Sequence, residues 1–237
     1  MINDLQVFFF GHFIDYTVES YHGEQVLFII NAKFVAVLFY FFIDDLEIDG
    51  CGVGGAPENP KYGVNLAAGS DFHIINSDID VTAAPASCTS CRPFSSSPDL
   101  GHSKTREIYI ESTALHSSPM GAAYINASRV SLVGDHLGGL CNSSSGCDSA
   151  IVVASDADGI IITSSILNAD GQGGNAVLNG VSVNPGATNV TLSSNNYRGA
   201  TAGNVLNNSN SVISLVGGIG YDGAPITVTS CPAATVC

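Results

Sequence analysis

A short apolar triplet recurs along this chain at intervals of 22 to 36 residues. The triplets are Phe72–Ile74, Ile108–Ile110, Val130–Leu132, Ile160–Ile162, Val190–Leu192 and Val212–Ser214. Their first residues lie 36, 22, 30, 30 and 22 positions apart, which averages 28. A period of roughly 20 to 50 residues is typical of stacked supersecondary units. The repeat therefore favours architectures in which each unit packs on the next.

The repeat extends beyond the triplets. Residues 63–79 align with residues 150–166 at a constant offset of 87, or three units of 29. This alignment places Asp71 over Asp158 and Ile74 over Ile161. Each unit reads as a strand, a turn containing Gly, Asp or Asn, a second strand and a loop of variable length.

Strands this short cannot each form a stable hairpin, but they can pair with the copy one unit along the chain. The alternating apolar positions Ile74, Ile161 and Leu192 are predicted to fill the interior. Asn and Asp tolerate the left-handed backbone that tight turns between such strands require. The pattern predicts an all-β fold, a parallel β-helix or solenoid, over residues 51–223.

Two other fold classes fit less well. A β-sandwich favours hairpin turns every 8 to 12 residues over unequal units near 28. Helix-rich folds need amphipathic runs, and no run of 11 residues after Gly50 has that pattern. The last residues, 224–237, are interpreted as a tail bounded by Cys231 and Cys237.

Residues 1–50 form an apolar N-terminal segment that contains nine of the 11 Phe. Its run from Val26 to Ile43 is almost long enough to cross a bilayer, which takes about 20 residues. Asn31 and Lys33 interrupt the run, and acidic residues flank it on both sides, so no cationic end orients a span. A buried strand pair or cap is the preferred interpretation. A membrane span and an atypical leader remain as alternatives.

The charge balance excludes one class of partner. The chain has 7 basic and 21 acidic residues, for a formal net charge of −14. Nucleic-acid binding needs a cluster of Lys and Arg along the phosphate path, so we expect no nucleic-acid partner. Only 12% of residues are charged and 45% are hydrophobic, which is the composition of a folded chain.

The strand cadence of residues 61–222 resembles that of the pectin-lyase-like right-handed β-helix superfamily. That superfamily includes polysaccharide lyases, polygalacturonases, phage tailspikes and surface adhesins. The resemblance implies a right-handed coil, a polysaccharide or cell-surface glycan as partner, and an extracellular, cell-surface or virion-surface location. It also implies a homo-oligomer, a trimer in the tailspikes.

The catalytic signatures of that superfamily are mostly missing. The Asn-Thr-Asp, Asp-Asp, Gly-His-Gly and Arg-Ile-Lys motifs of polygalacturonases do not occur among the repeats. Lyases of this kind use Arg or Lys as the base beside calcium-binding acids. After Gly50 this chain has only six cationic residues: Lys61, Arg92, Lys104, Arg106, Arg129 and Arg198.

Two pairs of residues are candidates for acid–base catalysis. Asp78 and Asp80 alternate along one strand and are expected to project from one face, where paired carboxylates can serve as acid and base or nucleophile. Asp135 and His136 are the one adjacent acid and imidazole. In each case a simpler reading exists. Asp78 and Asp80 fit solvated outer positions, and neighbours on a strand, such as Asp135 and His136, point to opposite sides.

Three further sets of residues are candidate ligands. Asp156 and Asp158 lie two residues apart and are followed by Gly159, as in half of a calcium-binding loop. A turn between strands accounts for the sequence DADG equally well. Tyr197 and Arg198 are the candidate substrate-binding residues. The loop from Asn168 to Gly174 lacks the Lys and the helix of a phosphate site.

Seven Cys favour disulfides and an oxidising compartment over a reducing one. The pair Cys141 and Cys147 and the pair Cys231 and Cys237 can each close a small ring. The remaining pattern, Cys88-x-x-Cys91, allows either a disulfide or part of a zinc site, and Cys51 is the odd thiol.

The sequence supports two functional hypotheses. The first is an exported or virion-surface β-helix protein that engages polysaccharide along a lateral groove and cleaves it as a lyase or glycoside hydrolase. The second is a structural adhesin, filament or spike module without catalysis, in which the apolar leader is an assembly segment or cap. A third, weaker reading is a fragment of a longer solenoid.

Overall fold

The structure is a computed structural model. It describes residues 62–66, 70–81, 91–96, 105–116, 118–141, 147–168, 177–200, 202–220 and 224–230, together with five short strands between residues 26 and 54. These residues form 23 β-strands and no helix, which confirms the predicted all-β class.

The strands lie in three sheets, here named A, B and C. Sheet A contains β1 (Val26–Phe28), β4 (Asp44–Asp49), β7 (Ser70–Ile75), β10 (Arg106–Glu111), β13 (Ser128–Val133), β16 (Asp158–Thr163), β19 (Thr188–Ser193) and β22 (Ser214–Val216). Sheet B contains β2 (Lys33–Val35), β5 (Gly52–Gly54), β8 (Asp78–Asp80), β11 (Ala114–His116), β14 (His136–Gly138), β17 (Ile166–Asn168) and β20 (Asn196–Arg198). Sheet C contains β3 (Val37–Phe39), β6 (Tyr62–Leu66), β9 (Arg92–Ser96), β12 (Ala123–Ile125), β15 (Cys147–Val153), β18 (Val177–Val183), β21 (Gly203–Asn207) and β23 (Val228–Ser230).

Consecutive strands pass from sheet A to B to C and then return to A, except that β22 of sheet A is followed by β23 of sheet C. We call such a set of three strands a rung. Strands pair in parallel with their counterparts in the neighbouring rungs, so β10 pairs with β7 and β13. The hairpin pairing expected of a β-sandwich is absent among the described strands. Three all-parallel sheets visited in rotation are compatible with a parallel β-helix.

The strand register confirms four of the five predicted repeat intervals. Phe72 pairs with Ile108, and Ile108 pairs with Val130. Val130 pairs with Ile160, and Ile160 pairs with Val190, which gives the two predicted intervals of 30. The predicted interval to Val212 is wrong by one residue, because the pairing of Thr191 with Ser214 places Val190 beside Ile213. Val212 is 92% exposed.

The predicted offset of 87 is also wrong by one residue. The register aligns Phe72 with Ile160, an offset of 88. Ile162 is therefore the counterpart of Ile74 and is fully buried, whereas Ile161 is 45% exposed. Because side chains alternate between faces, a slip of one residue moves the whole strand pattern to the wrong side.

The core is a column of aliphatic layers inside the three sheets. The predicted interior positions Ile74 and Leu192 are buried there. Each rung from β7 to β21 adds two inward side chains from sheet A, one from sheet B and one or more from sheet C. Representative members are Ile110, Leu115, Leu132, Leu137, Ile151, Ile162, Leu167 and Val181.

Left-handed backbone occurs at two positions in successive rungs. The first is the second residue of the sheet A strand, and the second follows that strand's end. The first set is Asp71, Glu107, Arg129, Gly159 and Asn189; the second is Asn76, Ser112, Gly134, Ser164, Ser194 and Gly217. The turn from sheet A to sheet B thus repeats nearly unchanged, which positions the residues after it alike in every rung.

Part of the apolar N-terminal run lies in the same sheets. Strands β1, β2 and β3 fall inside it and pair in parallel with β4, β5 and β6. Among the described residues, no helix has the length and apolarity to cross a membrane. Most of residues 1–50 lies outside the described part of the chain, as does the Cys-bounded end of the tail.

Candidate functional site

The outer face of sheet B brings together acids and imidazoles that are far apart in sequence. The Nε2 atom of His116 lies 2.5 Å from Oδ1 of Asp78. The register pairs His116 directly with Asp80 and places Asp78 beside Ala114, one diagonal away. Both members of the pair are accessible, with 61% of the Asp78 side chain and 33% of the His116 side chain exposed.

His136 lies one strand further along the same face. It pairs with Ala114 and is exposed. The register places His136 one diagonal from His116, and diagonal neighbours in adjacent strands are about 7 to 8 Å apart. The predicted residues Asp78, Asp80 and His136 are therefore brought to one surface, and His116 joins them.

The adjoining outer face of sheet A carries a stacked pair of rings. His73 and Tyr109 pair across β7 and β10, with ring centroids 4.7 Å apart and an angle of 22° between the rings. The Nε2 atom of His73 also lies 3.0 Å from Oδ1 of Asp71. Asp71, His73, Tyr109, Asp78, Asp80 and His116 together form what we call the acid–imidazole patch.

The charge around the patch is mostly negative. Glu107 and Glu111 on β10 add two acids at its border. The nearby cations are already in contact with an acid, because Arg129 Nη2 donates to Glu107 Oε1 at 2.8 Å and Arg106 Nε lies 3.8 Å from Glu107 Oε2. The patch therefore offers carboxylate acceptors, imidazole nitrogens that donate or accept hydrogen bonds, and an aromatic surface.

The structure separates Asp135 from His136, as their adjacency predicted. His136 lies outside, whereas Asp135 is only 1% exposed and belongs to an internal row of polar side chains. We call this row the polar ladder: Ser77, Thr113, Asp135, Ser165 and Asn195. Each of these residues follows the left-handed turn between sheets A and B.

Hydrogen bonds connect the polar ladder from rung to rung. The amide of Thr113 donates to Asp135 Oδ1 at 2.9 Å, and the amide of Asp135 donates to Ser165 Oγ at 3.1 Å. The amide of Ser165 in turn donates to Asn195 Oδ1 at 3.0 Å. Burial raises the pKa of Asp135 from 3.8 to about 7; backbone hydrogen bonds at Thr113 and Val133 lower it, and the charge of Glu111 raises it further.

The predicted calcium ligands take part in different interactions. Asp156 lies in an exposed turn, and Asp158 Oδ1 accepts from Thr188 Oγ1 at 2.5 Å and from Asn189 Nδ2 at 2.7 Å. Within the described ranges, no group of three or more His, Cys, Asp or Glu side chains is placed to hold a metal ion. Calcium binding at Asp156 and Asp158 stays a prediction.

Tyr197 and Arg198 lie on opposite faces of β20. Arg198 is exposed, but Tyr197 is buried in the core beside Gly180, and burial raises its pKa to about 12. A Cβ atom at Gly180 would lie 2.7 Å from Tyr197 Cδ1, so the glycine leaves space for the ring. The structure therefore does not bring Tyr197 to the surface that the substrate-binding prediction requires.

Cysteine chemistry agrees in part with the sequence. Cys141 and Cys147 form a disulfide, with Cα atoms 5.4 Å apart, as their spacing predicted. Cys91 is also disulfide-bonded. Cys51, Cys88, Cys231 and Cys237 lie outside the described residues.

Sequence reasoning missed His73, Tyr109 and His116. Each lies at an outward position of its strand, next to or between the buried residues of the repeat. The confirmed interval of 36 residues aligns Tyr109 with His73 and His116 with Asp80, so applying it to the outward positions would have found all three. Comparison of the chain with protein-family models, with curated proteins and with solved structures found no match. The resemblance to the pectin-lyase-like superfamily thus depends on the strand pattern alone.

Proposed function

We propose that this chain is a right-handed parallel β-helix protein that engages polysaccharide across the acid–imidazole patch. The observation that carries the proposal is the Asp78–His116 pair, on the two strands that directly follow those of the stacked His73 and Tyr109 rings. Carboxylates and imidazoles are partners for sugar hydroxyls, and an exposed ring face packs against the apolar face of a sugar.

The parallel strands suit a linear polymer. Neighbouring strands lie about 4.8 Å apart, and equivalent side chains repeat at that interval across the sheet. A glycan that crosses the strands of sheets A and B would meet the outward side chains of one strand at each step. The patch spans β7, β8, β10 and β11, which is two successive rungs.

The Asp78–His116 pair supports cleavage as well as binding. An imidazole held by a carboxylate has a defined orientation and can remove a proton and return it to a leaving group. Asp80, directly beside His116, supplies a second carboxylate of the kind that glycosidases use. Cleavage belongs to the proposal as a hydrolase or lyase activity at these three residues.

Charge favours uncharged glycans. The acids of the patch and its border outnumber the cations, and both Arg106 and Arg129 already contact Glu107. A polyuronate carries a negative charge on each sugar and would be repelled, most strongly at low ionic strength. We therefore expect neutral hexose polymers to bind in preference to polyuronates.

The location is part of the same proposal. Disulfides form and persist in oxidising environments, so the bond between Cys141 and Cys147 supports export to the cell exterior or a virion surface. A homo-oligomer, including a trimer, remains an implication of the resemblance.

Retention on immobilised neutral and acidic polysaccharides tests binding, and release of reducing ends or unsaturated products tests cleavage. Tyr109→Ala should reduce retention, and His116→Gln should lower cleavage by about 100-fold or more, the usual contribution of a general acid–base group. Thr191→Ala, on the same outer face three strands from β10, is the control and should change neither. Retention by no glycan would refute the proposal.

The structural-module hypothesis has its own support. From β16 onward the outer strands carry few ionisable residues, yet the core and the polar ladder continue with the same geometry. Those rungs need only to stack. Retention on a glycan without any product, unchanged in His116→Gln, would favour this non-catalytic adhesin or spike function.

A further inference from the structure

The polar ladder contains one residue that differs from the others in its chemistry. Four members carry a neutral hydroxyl or amide, and only Asp135 carries a carboxyl group. Three of the neutral members, Thr113, Ser165 and Asn195, each accept a backbone amide and also donate to a backbone carbonyl. Thr113 Oγ1 donates to the carbonyl of Glu111 at 3.0 Å, Ser165 Oγ to that of Thr163 at 3.0 Å, and Asn195 Nδ2 to that of Ile162 at 2.8 Å.

Asp135 performs only half of this role when ionised. Its Oδ1 accepts the amide of Thr113, but its Oδ2 is buried and has no hydrogen-bond partner among the described residues. By the strand register, the carbonyl of Ile110, one rung before Asp135, corresponds to that of Ile162, which Asn195 contacts one rung before its own. A protonated Oδ2 can donate toward such a carbonyl, whereas an ionised Oδ2 places acceptor against acceptor.

No positive charge compensates an ionised Asp135. None of the ion pairs of the described residues includes it, and its ladder neighbours Thr113 and Ser165 are uncharged. Of the titratable groups on the surrounding strands, Glu111 on β10 repels a negative charge at Asp135. His116 on β11 and His136 on β14 lie on the outer face, on the other side of their strands.

The bond from Thr113 connects Asp135 to the candidate site. Thr113 immediately precedes Ala114–His116, the strand that carries the imidazole of the acid–imidazole patch. Asp135 itself immediately precedes β14, which carries His136. Any opening that brings water to the carboxyl of Asp135 must therefore disturb the start of both strands.

We propose that Asp135 is a pH-sensitive positioning residue. Its carboxyl is protonated while the turns that precede β11 and β14 are closed, and these turns open when the carboxyl loses its proton. The burial that favours the neutral form also raises the pKa of this group to about 7. The inference depends on the polar ladder and not on glycan binding. Its readouts are accordingly stability and local opening, so its failure is distinct from failure of the proposed function.

The direction of the pH dependence follows from proton binding. In the unfolded chain Asp135 ionises near its ordinary pKa of 3.8, and in the folded protein near 7. Between these values the folded state binds more protons, so the free energy of unfolding falls as pH rises. The contribution of Asp135 to stability is full below about pH 4, and its loss raises the unfolding constant on the order of a thousandfold before levelling above about pH 7.

Asp135→Asn provides the matched test because it preserves size and the acceptor for Thr113, while its amide nitrogen donates at every pH. Urea unfolding of the full chain from about pH 4 to pH 8 should show a decline for the natural protein and a much flatter curve for the variant. The exposed Asp156→Asn is the control and should keep the decline. Equal slopes for the natural protein and Asp135→Asn would overturn the inference.

Two measurements on the unmodified protein keep the inference testable if the variant does not fold. The carboxyl ¹³C signal of Asp135 should titrate near pH 7, and a midpoint near 4 would overturn the inference. Amide exchange at Thr113, corrected for its intrinsic pH dependence, should lose protection above that midpoint. Ser165, whose amide is accepted by Asn195, should keep its protection, and parallel loss at both amides would contradict a local opening.

Discussion

Replacing Asn195 by Ala removes one member of the polar ladder without adding a charge. Asn195 is 1% exposed, and its side chain makes two hydrogen bonds across the rungs. The Oδ1 atom accepts the amide of Ser165 at 3.0 Å, and Nδ2 donates to the carbonyl of Ile162 at 2.8 Å. The variant loses both bonds and leaves the Ser165 amide buried.

The loss of stability in Asn195→Ala can be estimated from these two hydrogen bonds. A buried donor left without an acceptor costs about 1 to 3 kcal/mol, and a lost hydrogen bond whose acceptor keeps a second lone pair costs about 1 kcal/mol. The sum is about 3 kcal/mol. For a chain of this size each 1 kcal/mol shifts the melting temperature by about 2 to 4 °C, so we expect a decrease of roughly 6 to 12 °C.

Thermal and urea unfolding of the natural protein, Asn195→Ala and a control variant measure this loss of stability. The matched control is Asn196→Ala, because Asn196 is the next residue and lies on the outward side of β20. Surface substitutions usually change stability by less than about 0.5 kcal/mol. A loss below about 1 kcal/mol for Asn195→Ala, or equal losses for both variants, would show that the polar ladder does not stabilise the stack.

Two further substitutions test the packing of the core. Ile162→Ala should cost about 2 to 5 kcal/mol and Ile161→Ala less than about 1, because only Ile162 points inward; unfolding in urea compares them, and equal costs would mean that the register is misplaced. Gly180→Ala should cost about 1 to 3 kcal/mol, since the new Cβ atom would lie 2.7 Å from both the Asn204 carbonyl and the Tyr197 ring; an unchanged melting temperature would contradict that close packing.

The intervals of the repeat could be predicted from the sequence because the core requires apolar residues at matching positions of successive rungs. Phe72, Ile108 and Val130 are inward residues of successive rungs, and burying them in one column requires apolar side chains at matching positions. The run Ile160–Ile162 carried less information. All three residues are Ile, so hydrophobicity could not distinguish the two inward positions from Ile161, and identity at Asp71 and Asp158 favoured the wrong offset.

The candidate site depended more strongly on pairing. Asp78 and His116 are 38 residues apart, with a variable loop between them, and neither residue is unusual in its own strand. Only the register of β8 with β11 places them side by side. For Asp135 the sequence indicated that it and His136 face opposite ways, but it did not indicate which one is inside.

The sequence by itself determined the all-β class, most of the repeat spacing, the Cys141–Cys147 disulfide and the acidic surface, because these follow from local composition and from periodic burial. Tertiary structure alone decided which face each residue occupies and which distant residues meet. The physical reason is that side chains alternate at every residue, so a single-residue shift in strand pairing exchanges inside and outside. The register of the paired strands buries the carboxyl of Asp135 and places the imidazole of His116 on the outer face.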